Sequence, residues 1–364
     1  MINTKNTKQI KISYHTVDAF GILNFDSKDQ KFAYMSAENV KSRDAIKTAG
    51  NNIRFGKAVF TNEDGKLVRT NVISDNAIKQ CVFNSDCPYT SSEIWYKPKS
   101  VILAYITSPV MLMKGYLGCT DGNSIRRKSM LTFSCAKMCE NTVPVMQVNS
   151  TKMPIPDSTS LFTSETCGDT EWRGTVLVNV GNGENFIDFS QSIPQPVSDN
   201  ENKQAIQAEY ENLIQNAFGN KELAIKDYTR KAAVDCPSER GIILSGKEIA
   251  GMVNLLLDRI RNMSREGRGA SLGQVIIDGI EIRGEVDGVE PENGWCKVAP
   301  DSAFGCVEPR EVYRESTKDE VNAVNIALEA HKAADKKKAD KKNGKKTKPN
   351  PDEQKPDENK KETV

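Results

Sequence analysis

His15 and His331 are the only histidines in 364 residues, so any mechanism needing an imidazole base must rest on one of them. His15 alternates outward in the run Gln9 to His15, and His331 borders a polar tail. No G-x-S-x-G, P-loop or H-E-x-x-H pattern occurs. The 49 acidic residues offer carboxylate pairs everywhere and single out none. These features point away from a conventional hydrolase or transferase, and no catalytic residue is assigned.

The nine cysteines are odd in number, no export signal is visible, and a chain this long needs no covalent staples, so reduced thiols are expected. Cys135-x3-Cys139 has the spacing of a zinc half-site, and Cys81-x5-Cys87 is looser. Structural zinc usually takes two closely spaced pairs, so buried thiols fit better, and neither a metal nor another cofactor is expected.

Basic residues say more. Arg265 to Gly273 reads REGRGASLG, just after a helix that ends in Arg259 and Arg261. Gly267 and Gly269 let the backbone approach a phosphodiester, while Arg265 and Arg268 bring charge and bidentate geometry. A helix C-terminal turn whose cations complement the dipole accounts for the stretch equally well. Arg126, Arg127 and Lys128 follow Gly118 and Gly122 in an expected loop, and Lys41, Arg43, Lys47, Arg54 and Lys57 gather around a weak early helix. Each cluster alone reads as a solvated face. Together, with Trp95, Tyr96, Tyr116 and Phe162 available for stacking, they favour a groove for single-stranded nucleic acid.

The net charge of +1 conceals an asymmetry. From Lys332 to Val364 there are twelve lysines against seven acidic residues, which leaves the rest of the chain at −4. A globally basic nucleic-acid binder is excluded, so any such site is a local patch. No run reaches the ~18 apolar residues of a membrane span, and Met1 to Thr16 lacks an apolar core, so a cytoplasmic protein without membrane contact is expected. The chain divides into a body, 1–316, and a frayed helix with a disordered Lys-rich tail, 317–364.

The elements that must position these residues alternate. Ile10, Ile12 and Tyr14 predict a half-buried strand. Ser36 to Ala49 predicts a short helix, and Ser74 or Asp75 can cap a helix carrying Ala77, Ile78, Cys81 and Val82. The apolar run Val101 to Ile106 predicts a buried strand. Trp172, Val176, Val178 and Val180 share one strand face, and Gly181 to Asn200 predicts a long loop. Helices are predicted from Ile206 to Phe218, closed by Gly219-Asn220, and from Lys221 to Val234. Ser245-Gly246-Lys247-Glu248 has the capping-box form and opens a helix with the stripe Ile249, Met252, Val253, Leu256, Ile260 and Met263. A strand follows over 274–282. The fold class is α+β, with helices on a mainly antiparallel sheet.

Several segments then look familiar together. Val72 to Lys79, with Ser74 and Lys79, resembles the I-S-x-x-x-L/I-K/R segment of CRISPR-associated effector-complex backbone subunits, the RAMP superfamily with its Cascade-type guide-RNA-binding members. Ser124 to Leu131 resembles the R-K-S-x-L approach to a strand in some of them. Ser160 to Phe162, continuing through Gly168 to Gly174, is similar to the segment after their thumb hairpin, and Gly267 to Gly273 resembles their glycine-rich loop. The resemblance spans about Ile10 to Ile282. It implies a modified ferredoxin-like, RRM-like palm with a helical or finger insertion, and a thumb hairpin for which 143–164 is the candidate, though an ordinary surface loop fits that segment as well. It further implies copies of the chain polymerising along a CRISPR guide RNA. They would present it to a target nucleic acid in company with other effector subunits, in a ribonucleoprotein of antiviral defence. Sequence readout falls to base pairing, so no base-reading code is needed in the protein.

Some relatives cut target RNA with an Asp near the first strand. Asp18, Asp26 and Asp29 lie there without a recognisable motif, so the expected function is a non-catalytic guide-RNA-binding subunit. The alternatives are an RNA endonuclease using one of those aspartates with a divalent ion, and a coat-like single-strand-binding protein. The RNA contacts expected are Lys41, Arg43, Arg54, Lys57, Ser74, Lys79, Arg126, Arg127, Lys128, Arg265, Gly267, Arg268 and Gly269.

Overall fold

The computed structural model describes residues 1–19, 52–53, 56–61, 65–83, 99–120, 123–139, 145–152, 159–166, 170–181, 183–189, 202–222, 224–225, 240–263, 272–289, 291, 294–310, 314–315, 322 and 326. In chain order the elements begin with β1 (Ile2–Ala19), β2 (Asn52–Ile53), β3 (Gly56–Thr61), β4 (Leu67–Ile73), α1 (Asp75–Phe83), α2 (Lys99–Thr107) and α3 (Pro109–Lys114). There follow β5 (Tyr116–Thr120), β6 (Asn123–Arg127), β7 (Leu131–Phe133), β8 (Ala136–Met138), β9 (Val145–Lys152), β10 (Thr159–Thr166), β11 (Thr170–Asn179) and β12 (Phe186–Asp188). The last elements are α4 (Asn202–Ala217), β13 (Ala224–Ile225), β14 (Arg240–Ile243), α5 (Gly246–Arg261), β15 (Gln274–Val286), β16 (Cys296–Val298), β17 (Phe304–Pro309) and β18 (Arg314–Glu315).

The main sheet runs β16-β15-β1-β11-β8-β4-β3, with β17 added to β1 and β7 to β11. Every pairing in it is antiparallel except β1 with β17. The strand at its heart, β1, obeys the predicted alternation: Ile10, Ile12 and Tyr14 are buried, while Lys11, Ser13 and His15 turn to the other face. Its partner β11 buries Trp172, Val176 and Val178 on the same side, and β15 buries Ile277, Ile280 and Ile282. Between Ser13 and Tyr14 the register with β15 slips, and Asp278 falls between the partners Gly279 and Ile277. Gly174 lies opposite Tyr14, and the Tyr14 ring occupies the place a side chain there would take.

One face of this sheet carries the core. The capping box at Ser245 forms as predicted, with Glu248 N–H donating to Ser245 Oγ at 3.3 Å and Ser245 N–H to Glu248 Oε2 at 2.6 Å. The helix it opens, α5, buries Ile249, Met252, Val253, Leu256 and Ile260 against β15 and β17. The shorter α1 packs beside it and meets β7 through an edge-to-face contact of Phe83 with Phe133, ring centroids 6.3 Å apart.

Three smaller sheets stand apart: β2-β10-β9, β12-β14-β13-β18, and the hairpin β5-β6. In the first, β9 and β10 pair antiparallel from Val145↔Thr166 to Lys152↔Thr159 within the expected thumb segment, and 153–158 lie outside the described residues.

The structure differs from the sequence reading in four places. Residues Val101–Ile106 belong to the helix α2, burying Ile102 and Ile106 one turn apart, because a six-residue apolar run carries no period of its own. Ala224–Ile225 form a strand between β14 and β18 inside the predicted helix Lys221–Val234. The predicted loop after Gly181 contains β12, paired to β14. Arg126 and Arg127 belong to a strand rather than a loop. The predicted helix Ser36–Ala49 lies outside the described residues, as does the tail from 317 except Asn322 and Ile326, which are helical.

Candidate nucleic-acid interface

Strand alternation separates three basic neighbours that are contiguous in sequence. In the β5-β6 hairpin Leu117 pairs with Arg126, Tyr116 with Arg127 and Gly118 with Ile125. Tyr116, Gly118 and Ile125 are buried, whereas Leu117 and Arg126 are exposed, Leu117 at 60%. The hairpin thus has a packed side and an open side, and Arg126 stands on the open one.

Arg127 turns inward. Its Nε donates to the Leu112 carbonyl at 3.0 Å, Nη1 to Phe186 O at 2.8 Å and Nη2 to Glu184 O at 2.5 Å. Burial lowers the basicity of this guanidinium, and the charges of Tyr116 and Glu184 oppose that. One side chain therefore ties β6 to α3 and to the segment ahead of β12. Lys128 is 81% exposed, and its Nζ lies 3.3 Å from the buried carboxylate of Glu184.

Ser74 and Lys79 also have internal duties. The Ser74 hydroxyl accepts from Ala77 N–H at 3.3 Å and starts α1. Lys79 is half-buried and donates to the Lys114 carbonyl at 3.2 Å, at the end of α3. Burial, then the nearby Lys114 charge, depresses its basicity, while Asp75 pulls the other way. At that same point Gly115, at φ +72°, donates to Met111 O at 2.9 Å and packs against Arg127 and Ser129 backbone too closely for a side chain. Lys79, Lys114 and the base of the β5-β6 hairpin accordingly meet at one end of α3.

The open face of the main sheet is different in kind. Across β15, β1 and β11, Lys11 pairs with Glu281 at 2.7 Å, His15 with Asp278 at 2.5 Å and Arg173 with Glu171 at 2.8 Å. The Arg173 hydrogen bond holds the Glu171 carboxyl below its usual range. Cys139 lies beside this cluster, its thiol pushed up to about 11 by burial and by Glu171. Burial first, then the thiols of Cys81 and Cys135, raise the Tyr14 hydroxyl, whereas Cys139 responds to Glu171, so the two cysteines of the half-site have different electrostatic neighbours. Among the described residues no cluster of metal-ligating side chains occurs, and Cys87 is outside them.

Of the remaining expected contacts, Lys57 is on β3, while Lys41, Arg43, Arg54, Arg265, Gly267, Arg268 and Gly269 lie outside the described residues, as do Asp26 and Asp29. Asp18 is exposed, in a left-handed conformation at φ 58° where β1 passes the backbone of Gly273. The sequence reading missed Leu117. Its signal is the alternation Tyr116-Leu117-Gly118 opposite Ile125-Arg126-Arg127, visible once both runs are read as strands.

No helix among the described residues is long and apolar enough to cross a membrane. No curated protein sequence matches the chain. Solved structures give faint likenesses. Csc2 of Thermofilum pendens is 10% identical, with a TM-score of 0.32 over 90% of this chain and 77% of that one. A chain of a type IV-B CRISPR complex is 11% identical, with a TM-score of 0.27 over 49% of this chain and 76% of that one. A chain of a CRISPR RNA-guided surveillance complex is 12% identical, with a TM-score of 0.26 over 88% and 99%. The assignment rests on sequence instead: the family model described as type I-Fv CRISPR-associated protein Cas7fv-like matches residues 47–283, from just before β2 to within β15. The chain belongs to that Cas7fv-like family, as the order of its short motifs led one to expect.

Proposed function

We propose that the protein is a non-catalytic backbone subunit that polymerises along a CRISPR guide RNA in the cytoplasm and presents it for pairing with a target nucleic acid, beside other effector subunits. Family membership over 47–283 is the observation that carries this reading. The topology agrees with the palm that the family resemblance implies. Taken in chain order, β1, α1, β8, β11, α5 and β15 make a βαββαβ unit, with strands side by side as β15-β1-β11-β8 and both helices near the same core. The hairpin β9-β10 is then the thumb.

The sheet's open face is a poor seat for RNA in the RRM manner. On that face the described residues of β1, β11 and β15 present no phenylalanine, tyrosine or tryptophan for stacking, the His15 ring is held by Asp278, and Lys11 and Arg173 already hold carboxylates. The phosphates instead follow the flank where α3 ends and the hairpin begins, with Arg126 outermost and Lys128, which also holds Glu184, beside it. Arg127, Lys79 and Ser74 shape that flank from within.

The test is to express the chain with a CRISPR array and sequence the nucleic acid that co-purifies. RNA of one discrete length with a constant end supports the reading. Heterogeneous nucleic acid would select a coat-like binder instead. Cleavage of guide-paired RNA at regular intervals, lost when Asp18, Asp26 or Asp29 is replaced by Ala, would select an endonuclease.

A further inference from the structure

The geometry points to a one-nucleotide subsite on the open side of the β5-β6 hairpin, where Leu117 and Arg126 together grip one nucleotide of a single strand. This rests on the proposed RNA-binding role and deepens it, adding Leu117 as an apolar contact for the base beside the charge of Arg126.

A single exposed leucine needs no explanation. What asks for one here is the combination. Leu117 and Arg126 are direct cross-strand partners on one side of the hairpin. Directly opposed residues of an antiparallel pair have Cβ atoms about 4.5–5.5 Å apart, so one ligand can reach both side chains. No carboxylate among the described residues pairs with Arg126, although ion pairs occupy Lys11, Lys99, Lys128, Arg173 and Lys221 elsewhere.

The reverse side is fixed by the three carbonyls that Arg127 holds and by the buried Tyr116 and Ile125. The exposed pair is thus carried on an immobilised stem, which limits the entropy that binding must offset. An isobutyl group beside a guanidinium suits a nucleotide of a single strand. The base buries apolar area against the isobutyl group, and the phosphate takes the guanidinium bidentately. A duplex offers no accessible base face, so the occupant is single-stranded RNA and not paired target.

The experiment uses full-length protein freed of co-purified nucleic acid and a labelled, unstructured RNA oligonucleotide, with binding titrated across salt concentrations. For Arg126→Gln, the slope of log affinity against log salt flattens by about 0.7, as one phosphate contact on a single strand predicts. For Leu117→Ser, affinity falls about five-fold at every salt concentration, the loss expected for partial apolar burial of one leucine, and the slope stays unchanged. Both positions are exposed, so thermal melts at the wild-type temperature establish that the variants are folded. If wild-type protein binds RNA and either variant keeps wild-type affinity and slope, the hairpin subsite is overturned while the RNA-binding role stands. If wild-type protein binds no RNA, both are overturned.

Discussion

The sheet's open face and the β5-β6 flank both carry basic side chains and use most of them differently. On the face, Lys11 and His15 meet Glu281 and Asp278 of the neighbouring strand and Arg173 meets Glu171 of its own, so the surface is a set of short local pairs. On the flank, one arginine is taken inside to hold three backbone carbonyls and the next, Arg126, is left outside with no carboxylate among the described residues. A chain of net charge +1 binds a polyanion only if it concentrates unneutralised charge locally, and pairing is what decides where. Counting basic residues does not locate such a site. Counting the ones without carboxylates does.

The sharpest way to break this contrast is Arg127→Met. It removes three hydrogen bonds from one guanidinium and strands carbonyls of Leu112, Glu184 and Phe186, so chemical denaturation should show a loss of about 3 kcal/mol. Its salt slope for RNA should nevertheless match wild type, because the guanidinium is already committed to those three carbonyls. A flattened slope would make Arg127 a direct ligand.

Ser245→Ala serves as a reference for an ordinary structural contact that involves none of the flank's basic side chains, costing about 1 kcal/mol through the lost N-cap with no change in RNA binding. The same box has a pH signature. Burial alone would raise the Glu248 carboxyl, yet Lys221 and Ser245 hold it below the ordinary range. Its contribution is complete above the unfolded glutamate value of about 4.3 and is lost as pH falls through the lower folded value. The stability gap between wild type and Glu248→Gln should therefore be widest near neutrality and shrink in acid.

Smallest of all should be Arg173→Gln on the open face. Its pair is exposed, so stability should change by less than about 1 kcal/mol, and RNA affinity and salt slope should not move. A flattened slope there would return the sheet face to the RNA.

Much of the framework was legible in the sequence because period and capping are local signals. The alternation at Ile10, Ile12 and Tyr14, the stripe from Ile249 to Ile260 and the Ser245 box each fix an element without reference to the rest of the chain. Val101–Ile106 was misread for the converse reason, since only packing decides between helix and strand for a short uniform run. Ala224–Ile225 is a strand because β14 and β18 lie on either side of it, which no local pattern announces. The candidate site was legible by composition and not by role. Ser74, Lys79, Arg126, Arg127 and Lys128 were singled out as polar or basic, but which faced inward depended on strand parity and on carbonyls supplied by residues 112, 184 and 186.

The most direct measurement is photocrosslinking of the purified ribonucleoprotein, with the attached peptides read by mass spectrometry. The account predicts RNA adducts on the peptide spanning 116–128 and none on the strands carrying Lys11, His15 and Arg173. Adducts concentrated on those three strands, with the hairpin peptide unmodified, would contradict it.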